Sequence, residues 1–594
     1  MRLRPLRVEI DGEPSSGSRP LGPGDDAEGI GAIEVRLEPA DLAGTRGWSV
    51  TNTGREPEKV RSVSLVFSVE DARPPVRMLR HGYQSWSPTG VATLGVDSDP
   101  SRKPDSIELV RAASHADQRA ARPGELRSEW VTVLADAATP AGSLLVGAAG
   151  GSTHDGTLRL TLGAEGEPEL RYEAFLGDAV LVPGAIRSLH DLVVLAGEAT
   201  SASELLDLWS AEVARRERAR SGAPYVAGWC SWYHYFHVVT ESDIRHNLAL
   251  ADGADWPFDV FQVDDGFQRA IGDWLDADER FSAGLETLAE EITGSGRRAG
   301  IWLAPFLAAP DSALATEHPD WLARLPNGEF LPGCFNPPWG GGLGGLMWTL
   351  DTTNPAVLEH LEHTGRELVQ MGFRYLKLDF TYAPSFDGKW FDPTRTPSER
   401  VRAGYEAVRR GAGDDVFLLG CGAPLSNVVG VVDGMRIGAD VAPAWNREQH
   451  DPAMSGYEAM LPATRHAAAA TFARSFMHRR FWLNDPDCLM LRREATSLTP
   501  EQIETWTRVV EASGGMALVS DDLALVPAEA RRRFDELLQQ SRAVDAVAAA
   551  GQTPRCTDLM TASRQPSTLV TRGARLRVDP AAGSSSLDRL PSQT

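Results

Sequence analysis

Cysteine is scarce in this chain of 594 residues. Its five cysteines, Cys230, Cys334, Cys421, Cys488 and Cys556, contain no CxxC pair. Neither a zinc site nor a disulfide framework is expected from them, and the sparse, odd usage fits a reducing compartment. No run of about 18 apolar residues exists, which excludes a transmembrane helix. The opening MRLRPLRVEIDGEP is basic but lacks the apolar segment of a secretory signal. Basic side chains are in deficit, 59 against 82 acidic, for a net charge of −23. Nucleic acid and anionic membranes both call for basic patches. The expected partner is therefore a small neutral or cationic substrate, and the expected place is the cytoplasm. No His or Asp cluster has metal-ligand spacing, so neither metal nor cofactor is expected.

Hydrophobic residues make up 42% and charged residues 24% of the chain, which is the balance of a folded globular protein. The length exceeds one core and implies two or three domains. The first ten residues can form a strand, and the following stretch to residue 30 reads as a loop. From about 31 to 200, short alternating runs such as IEVRLEP, VRSVSLVFSVE and GTLRLTLGAEG are separated by turn residues, the pattern of an antiparallel sandwich. SASELLDLWSAEVARRERARSG then reads as a linking helix.

After Ala223 the texture changes. Eight apolar strand-like runs alternate with helical patterns: VAGWCSW, FDVFQVDDGF, RAGIWLAPF, RYLKLDFTY, DVFLLGCGAP, GVVDGMRIGAD, RFWLNDPDC and GGMALVSDD. Eight strand–helix repeats over about 310 residues predict a (β/α)₈ TIM barrel. No GxGxxG follows the first run, which weighs against a doubly wound open sheet. The expected division is 1–205 for an N-terminal β-sandwich, 206–540 for the barrel, and 541–594 for a short β region ending in a flexible tail.

A barrel of this kind carries its site at the C-terminal ends of its strands. Run two ends in Asp264 and Asp265, and run four carries Lys377 and ends in Asp379. Run six carries Arg436 and leads to Asp440, and run seven leads to Asn484, Asp485 and Asp487. Run eight ends in Asp521 and Asp522. An aspartate after a strand often only caps the next helix. Repetition around one cup argues for more. Asp379 lies in a β-rich run, where a carboxylate is costly unless it faces a polar cavity. Lys377, two residues earlier, shares its face and favours the ionised form. Two carboxylates with aromatic walls are the constellation of glycoside hydrolysis.

The ordered motifs GWCSWYHYF, FQVDDGFQ, GIWLAPF, YLKLDFTY, RIGADV and FWLNDPDC resemble the α-galactosidases of glycoside hydrolase family 36. HGYQSWS at 81–87 resembles a motif in their N-terminal β-supersandwich. The resemblance spans about residues 30 to 540. It implies Asp379 as nucleophile and Asp440 as acid/base, with Asp264 and Asp265 on the sugar O4 and O6 hydroxyls. Lys377 and Arg436 would hold the sugar, with Trp302 and Trp232 as aromatic walls and Trp86 lent by the N-terminal domain. The loop after strand five departs from the family's CSGGG-like run and reads GCGAPLSNVVG around Cys421, at the sugar's 2-position. What is implied is a retaining, exo-acting α-galactosidase on small oligosaccharides or α-glycosides. α-N-Acetylgalactosaminidase and a raffinose-synthase-like transglycosylase stand as alternatives, and a non-catalytic carbohydrate-binding protein as a remote one. Family members often form homo-oligomers.

Overall fold

The computed structural model describes all residues except 22–26, 39–44, 104–107, 137–141, 198–200, 448–453, 563–564 and 591–594. Alternating runs in the first third build two antiparallel sheets. One has six strands, with Glu58–Glu70 and Pro168–Leu181 paired at its centre. The other has eight, with Thr45–Asn52 beside Ile186–Gly197. The sheets bury their inward faces against each other, as where Trp48 of one meets Tyr172 of the other with ring centroids 5.6 Å apart. Residues 11–30, expected as loop, carry the strands Gly17–Pro20 and Ala27–Ile30. These are mostly exposed segments, so little apolar alternation marks them.

Helix α1 (Glu108–Ser114) lies between strands of the sandwich. Helix α2 (Ala202–Arg216) starts in a capping box of Ser201 with Glu204. Its Trp209, fully buried, donates from Nε1 to the Ala148 carbonyl at 3.0 Å and so locks the helix to the second sheet.

All eight apolar runs become parallel strands of one sheet. In chain order they are β1 (Ala227–Cys230), β2 (Val260–Val263), β3 (Arg298–Leu303), β4 (Phe373–Leu378), β5 (Phe417–Gly420), β6 (Gly434–Arg436), β7 (Leu483–Asp485) and β8 (Ala517–Val519). β1 pairs with both β2 and β8. The ring closes where Met516 N donates to the Asn484 carbonyl and Leu489 pairs with Val519. The strands read as unbroken apolar runs because the barrel interior and the outer helices cover both faces. The outer helices start with Thr caps at Thr240, Thr396 and Thr499, each paired with an acid or amide three residues on.

Two excursions went unforeseen. Between β3 and β4, a small antiparallel sheet of Leu307–Ala308, Pro332–Phe335 and Leu346–Thr349 stands over the barrel mouth. In the tail, Ser584–Arg589 is a strand, where a flexible end was expected. It completes a four-stranded sheet after a turn in which Gly583 N donates to the Asp579 carbonyl. An exposed edge strand needs no apolar alternation, so its polar sequence gave no sign. Among the described residues no helix is long and apolar enough to cross a membrane.

Candidate active site

The strand ends of the barrel open into one cavity of about 420 Å³. Eight of the ten expected site residues line it: Trp86, Trp232, Asp264, Asp265, Trp302, Lys377, Asp379 and Asp440. Arg436 and Cys421 are not among its lining residues, and both are buried behind it.

Asp379 is the first residue past β4. Its Oδ2 accepts from Trp302 Nε1 at 3.1 Å, and its Oδ1 accepts from the Phe380 N–H at 2.8 Å. Lys377 Nζ stands 3.9 Å from the same Oδ2 and 3.0 Å from Asp264 Oδ2. Burial works against the charge on Lys377, and Asp264 overcomes it, so the ammonium is held above its ordinary range. Phe380 adopts φ +52, a strained conformation for a residue with a side chain. That twist brings its ring between Trp86 (4.9 Å) and Trp339 (4.8 Å).

β2 ends before Asp264, so the strand pleat is lost and both members of the acidic pair reach the cavity. Asp264 N donates to Ser231 Oγ. Asp265 accepts from Trp339 Nε1 and from Gln268 Nε2, both at 2.7 Å. Burial pushes the Asp265 carboxyl up to about 6, and these two donors act against that rise. Gly266, at φ +119, leaves its pro-side-chain position 2.7 Å from the His237 carbonyl, so only glycine completes this turn.

Asp440 has its side chain 32% exposed, into the cavity, so it can exchange a proton with a bound molecule. Desolvation raises its carboxyl above the ordinary value; Arg436 pulls the other way, while Asp379 adds to the rise. Arg436 Nη1 donates to Asp440 Oδ1 at 3.0 Å, its Nε donates to Asp485, and its Nη2 reaches Asp487 at 2.7 Å. Its fork is thus spent on three carboxylates of β6 and β7. Asp487 also accepts from the Tyr233 hydroxyl.

Other strand-end aspartates are structural. Asp521 pairs with Arg492, and Asp522 caps the short helix at Leu523–Leu525. Trp229 is buried in the barrel, stacked on Phe261.

Two contributors escaped sequence reading. Trp339 comes from the excursion over the mouth, whose Pro- and Gly-rich sequence carries no periodic signal. Arg474, fully buried, gathers carbonyls: Nη1 donates to Ser85 and Ile437, and Nη2 to Gly82, Gln84 and Ser87. It staples residues 82–87 of the sandwich to the barrel and holds Trp86 at the cavity. Burial with no carboxylate beside it lowers its guanidinium to about 9, which still leaves it cationic at neutral pH. On the barrel side, Gly422 adopts φ +51, and a Cβ there would stand 3.0 Å from the Trp86 ring.

Known proteins resemble this chain in sequence and fold. A family model described as Melibiase matches residues 203–333. Alpha-galactosidase AgaA of Geobacillus stearothermophilus is 31% identical over 100 residues, 16% of this chain and 13% of that protein. The Escherichia coli alpha-galactosidase is 33% identical over 73 residues, 11% of this chain and 10% of that protein. The matched segments thus span only about an eighth of those curated relatives. Solved structures extend the likeness. The crystal structure of GH36 alpha-galactosidase AgaA superposes with a TM-score of 0.63 at 14% identity, over 97% of this chain and 79% of that one. TtGalA, an alpha-galactosidase from Thermus thermophilus solved with p-nitrophenyl alpha-D-galactopyranoside, gives a TM-score of 0.66 at 26% identity. That match covers 91% of this chain and 95% of the other. The chain has the fold of these GH36 alpha-galactosidases, and its residues 203–333 match the Melibiase model. It carries the barrel strands and the N-terminal sandwich on one polypeptide, and its cavity draws lining residues from both.

Proposed function

We propose that this chain is a retaining, exo-acting α-galactosidase of glycoside hydrolase family 36. One observation carries the reading. Asp379, fixed by Trp302 Nε1 and beside Lys377, shares a cavity with Asp440, whose carboxyl is raised. A carboxyl raised in this way suits the acid, and the carboxyl group fixed across the cavity from it suits the nucleophile. Asp440 protonates the glycosidic oxygen while Asp379 attacks the anomeric carbon, which forms a covalent glycosyl-enzyme and releases the aglycone. Asp440 then takes a proton from water, and the water oxygen displaces Asp379 with net retention. Asp264 and Asp265 accept hydroxyl protons of the sugar, Lys377 donates to it, and Trp302, Trp232 and Trp86 wall it. Arg436 acts through Asp440. TtGalA has been solved with p-nitrophenyl α-galactoside and with stachyose, which supports the substrate class.

The test is a proton NMR time course on p-nitrophenyl α-galactoside. α-Galactose is expected first, and β-galactose appearing first would sink the mechanism. Run beside α-glucoside, the galactoside should be preferred by roughly 10³-fold or more, since sites that bond a hydroxyl reject its misplacement strongly. Higher kcat/KM on the α-N-acetylgalactosaminide would overturn the galactoside assignment.

The pH profile gives a further check. As pH falls through about 6, Asp265 gains a proton and loses an acceptor, so kcat/KM should decline on the acid side. As pH rises, Asp440 gives up the proton it must donate, and kcat/KM should decline again. Trp339→Phe removes a bond that favours the Asp265 carboxylate, so the acid limb should move to higher pH. An acid limb unmoved in that variant would take Asp265 out of the profile.

A further inference from the structure

Beyond the acidic pole, the cavity changes character. Asp440 marks the side on which the leaving group departs, because its proton goes to the glycosidic oxygen. The segment immediately beyond it is apolar. Ala463 N donates to the Asp440 carbonyl at 2.9 Å, which places Leu461 and Pro462 beside the acid. Met460 continues that wall, and Ser114 Oγ donates to its sulfur at 3.2 Å. This contact joins the segment to α1 of the sandwich, whose Leu109, Val110 and Ala113 also line the cavity. The His115 ring bonds the Tyr457 hydroxyl at 3.1 Å and braces the same junction.

None of these six side chains carries a nitrogen or oxygen. A glucosyl or sucrosyl leaving group would have to shed water from its hydroxyls against these carbon and sulfur side chains, which offer no bonds in return. An alkyl or aryl group would lose only unfavourable hydration.

We propose that the leaving-group subsite of this chain, built by α1 and residues 460–462, selects apolar alkyl or aryl α-galactosides over galactosyl oligosaccharides. This rests on the α-galactosidase reading above. It names the substrate class on the aglycone side of that same site.

The test is a set of kcat/KM values on the full-length protein for methyl and hexyl α-galactoside, melibiose and raffinose. Methanol and hexanol are leaving groups of similar acidity, so the methyl-to-hexyl ratio reads contact and not chemistry. Burial of each methylene is worth up to about fourfold. Hexyl is expected to exceed methyl by roughly 30-fold or more, and to exceed melibiose and raffinose as well. Val110→Asn is expected to lower the hexyl-to-methyl ratio about fivefold or more. Hexyl no better than methyl, or raffinose better than hexyl, overturns the subsite while leaving the galactosidase reading intact. No turnover of any α-galactoside overturns both. If Val110→Asn fails to fold, the wild-type substrate series still decides.

Discussion

Asp379→Ala is expected to lower kcat/KM on p-nitrophenyl α-galactoside by on the order of 10⁴-fold, ~5.5 kcal/mol of transition-state stabilisation, with the fold intact. The size follows from the step removed. Without the carboxylate no glycosyl-enzyme forms, and water must attack unaided. The fold should survive because Asp379 is bonded by one indole N–H and one backbone N–H, at the cavity wall and outside the close-packed core. Circular dichroism and a thermal melt check that point. Azide supplies a sharper test. In the alanine variant the small anion can enter the vacated space and attack the anomeric carbon, while Asp440 still protonates the departing group. The product should be the β-galactosyl azide, inverted by one displacement. Restored turnover with that product assigns the face of attack to Asp379. Full activity without azide, or an α-azide product, removes Asp379 from the nucleophile's role.

Arg474→Ala is expected to cost stability and activity together. The guanidinium satisfies five buried carbonyls at once, four of them in residues 82–87. Leaving several of these unpaired costs about 4 kcal/mol or more. In a protein of this size that should lower Tm by roughly 3 °C or more. The effect on catalysis has a separate origin. Freed from the staple, residues 82–87 no longer hold Trp86 against Phe380, and the cavity loses one wall. kcat/KM should fall by about 100-fold even at 20 °C, where circular dichroism shows the variant folded. Arg474→Lys should fall between the two, because a single ammonium cannot span the fork. Activity that merely tracked the folded fraction would make Arg474 a stability residue and nothing more.

The barrel was legible because its strands are covered on both faces, and continuous apolar runs such as FLLG at Phe417–Gly420 betray that burial directly. The helices between them announce themselves through caps such as Thr396 with Glu399. What stayed hidden has physical causes. The excursion at 307–349 consists of strands of two to four residues in glycine- and proline-rich sequence, too short for periodicity, yet it delivers Trp339 to Asp265. Arg474 sits at the end of the alanine-rich helix Thr464–Ala473, and its carbonyl partners are distant in sequence. A carbonyl ligand leaves no compositional mark. Offsets also mislead. Lys377 two residues before Asp379 does share its cavity, whereas Arg436 four residues before Asp440 touches the acid from behind, because three carboxylates of its own surroundings claim the guanidinium. Sequence spacing records which groups are neighbours, and burial decides which of them meets a ligand.

The contact between Gly422 and Trp86 has an evolutionary corollary. A side chain added at position 422 would press on an indole that belongs to a different layer of the molecule, so this loop cannot drift alone. Any lineage that placed a side chain at position 422 would need a matching change near residue 86, or would displace the wall that residue provides. Laboratory libraries confined to the barrel would miss such pairs. Randomising positions 86 and 422 together is the smallest search that keeps the contact closed while its shape changes.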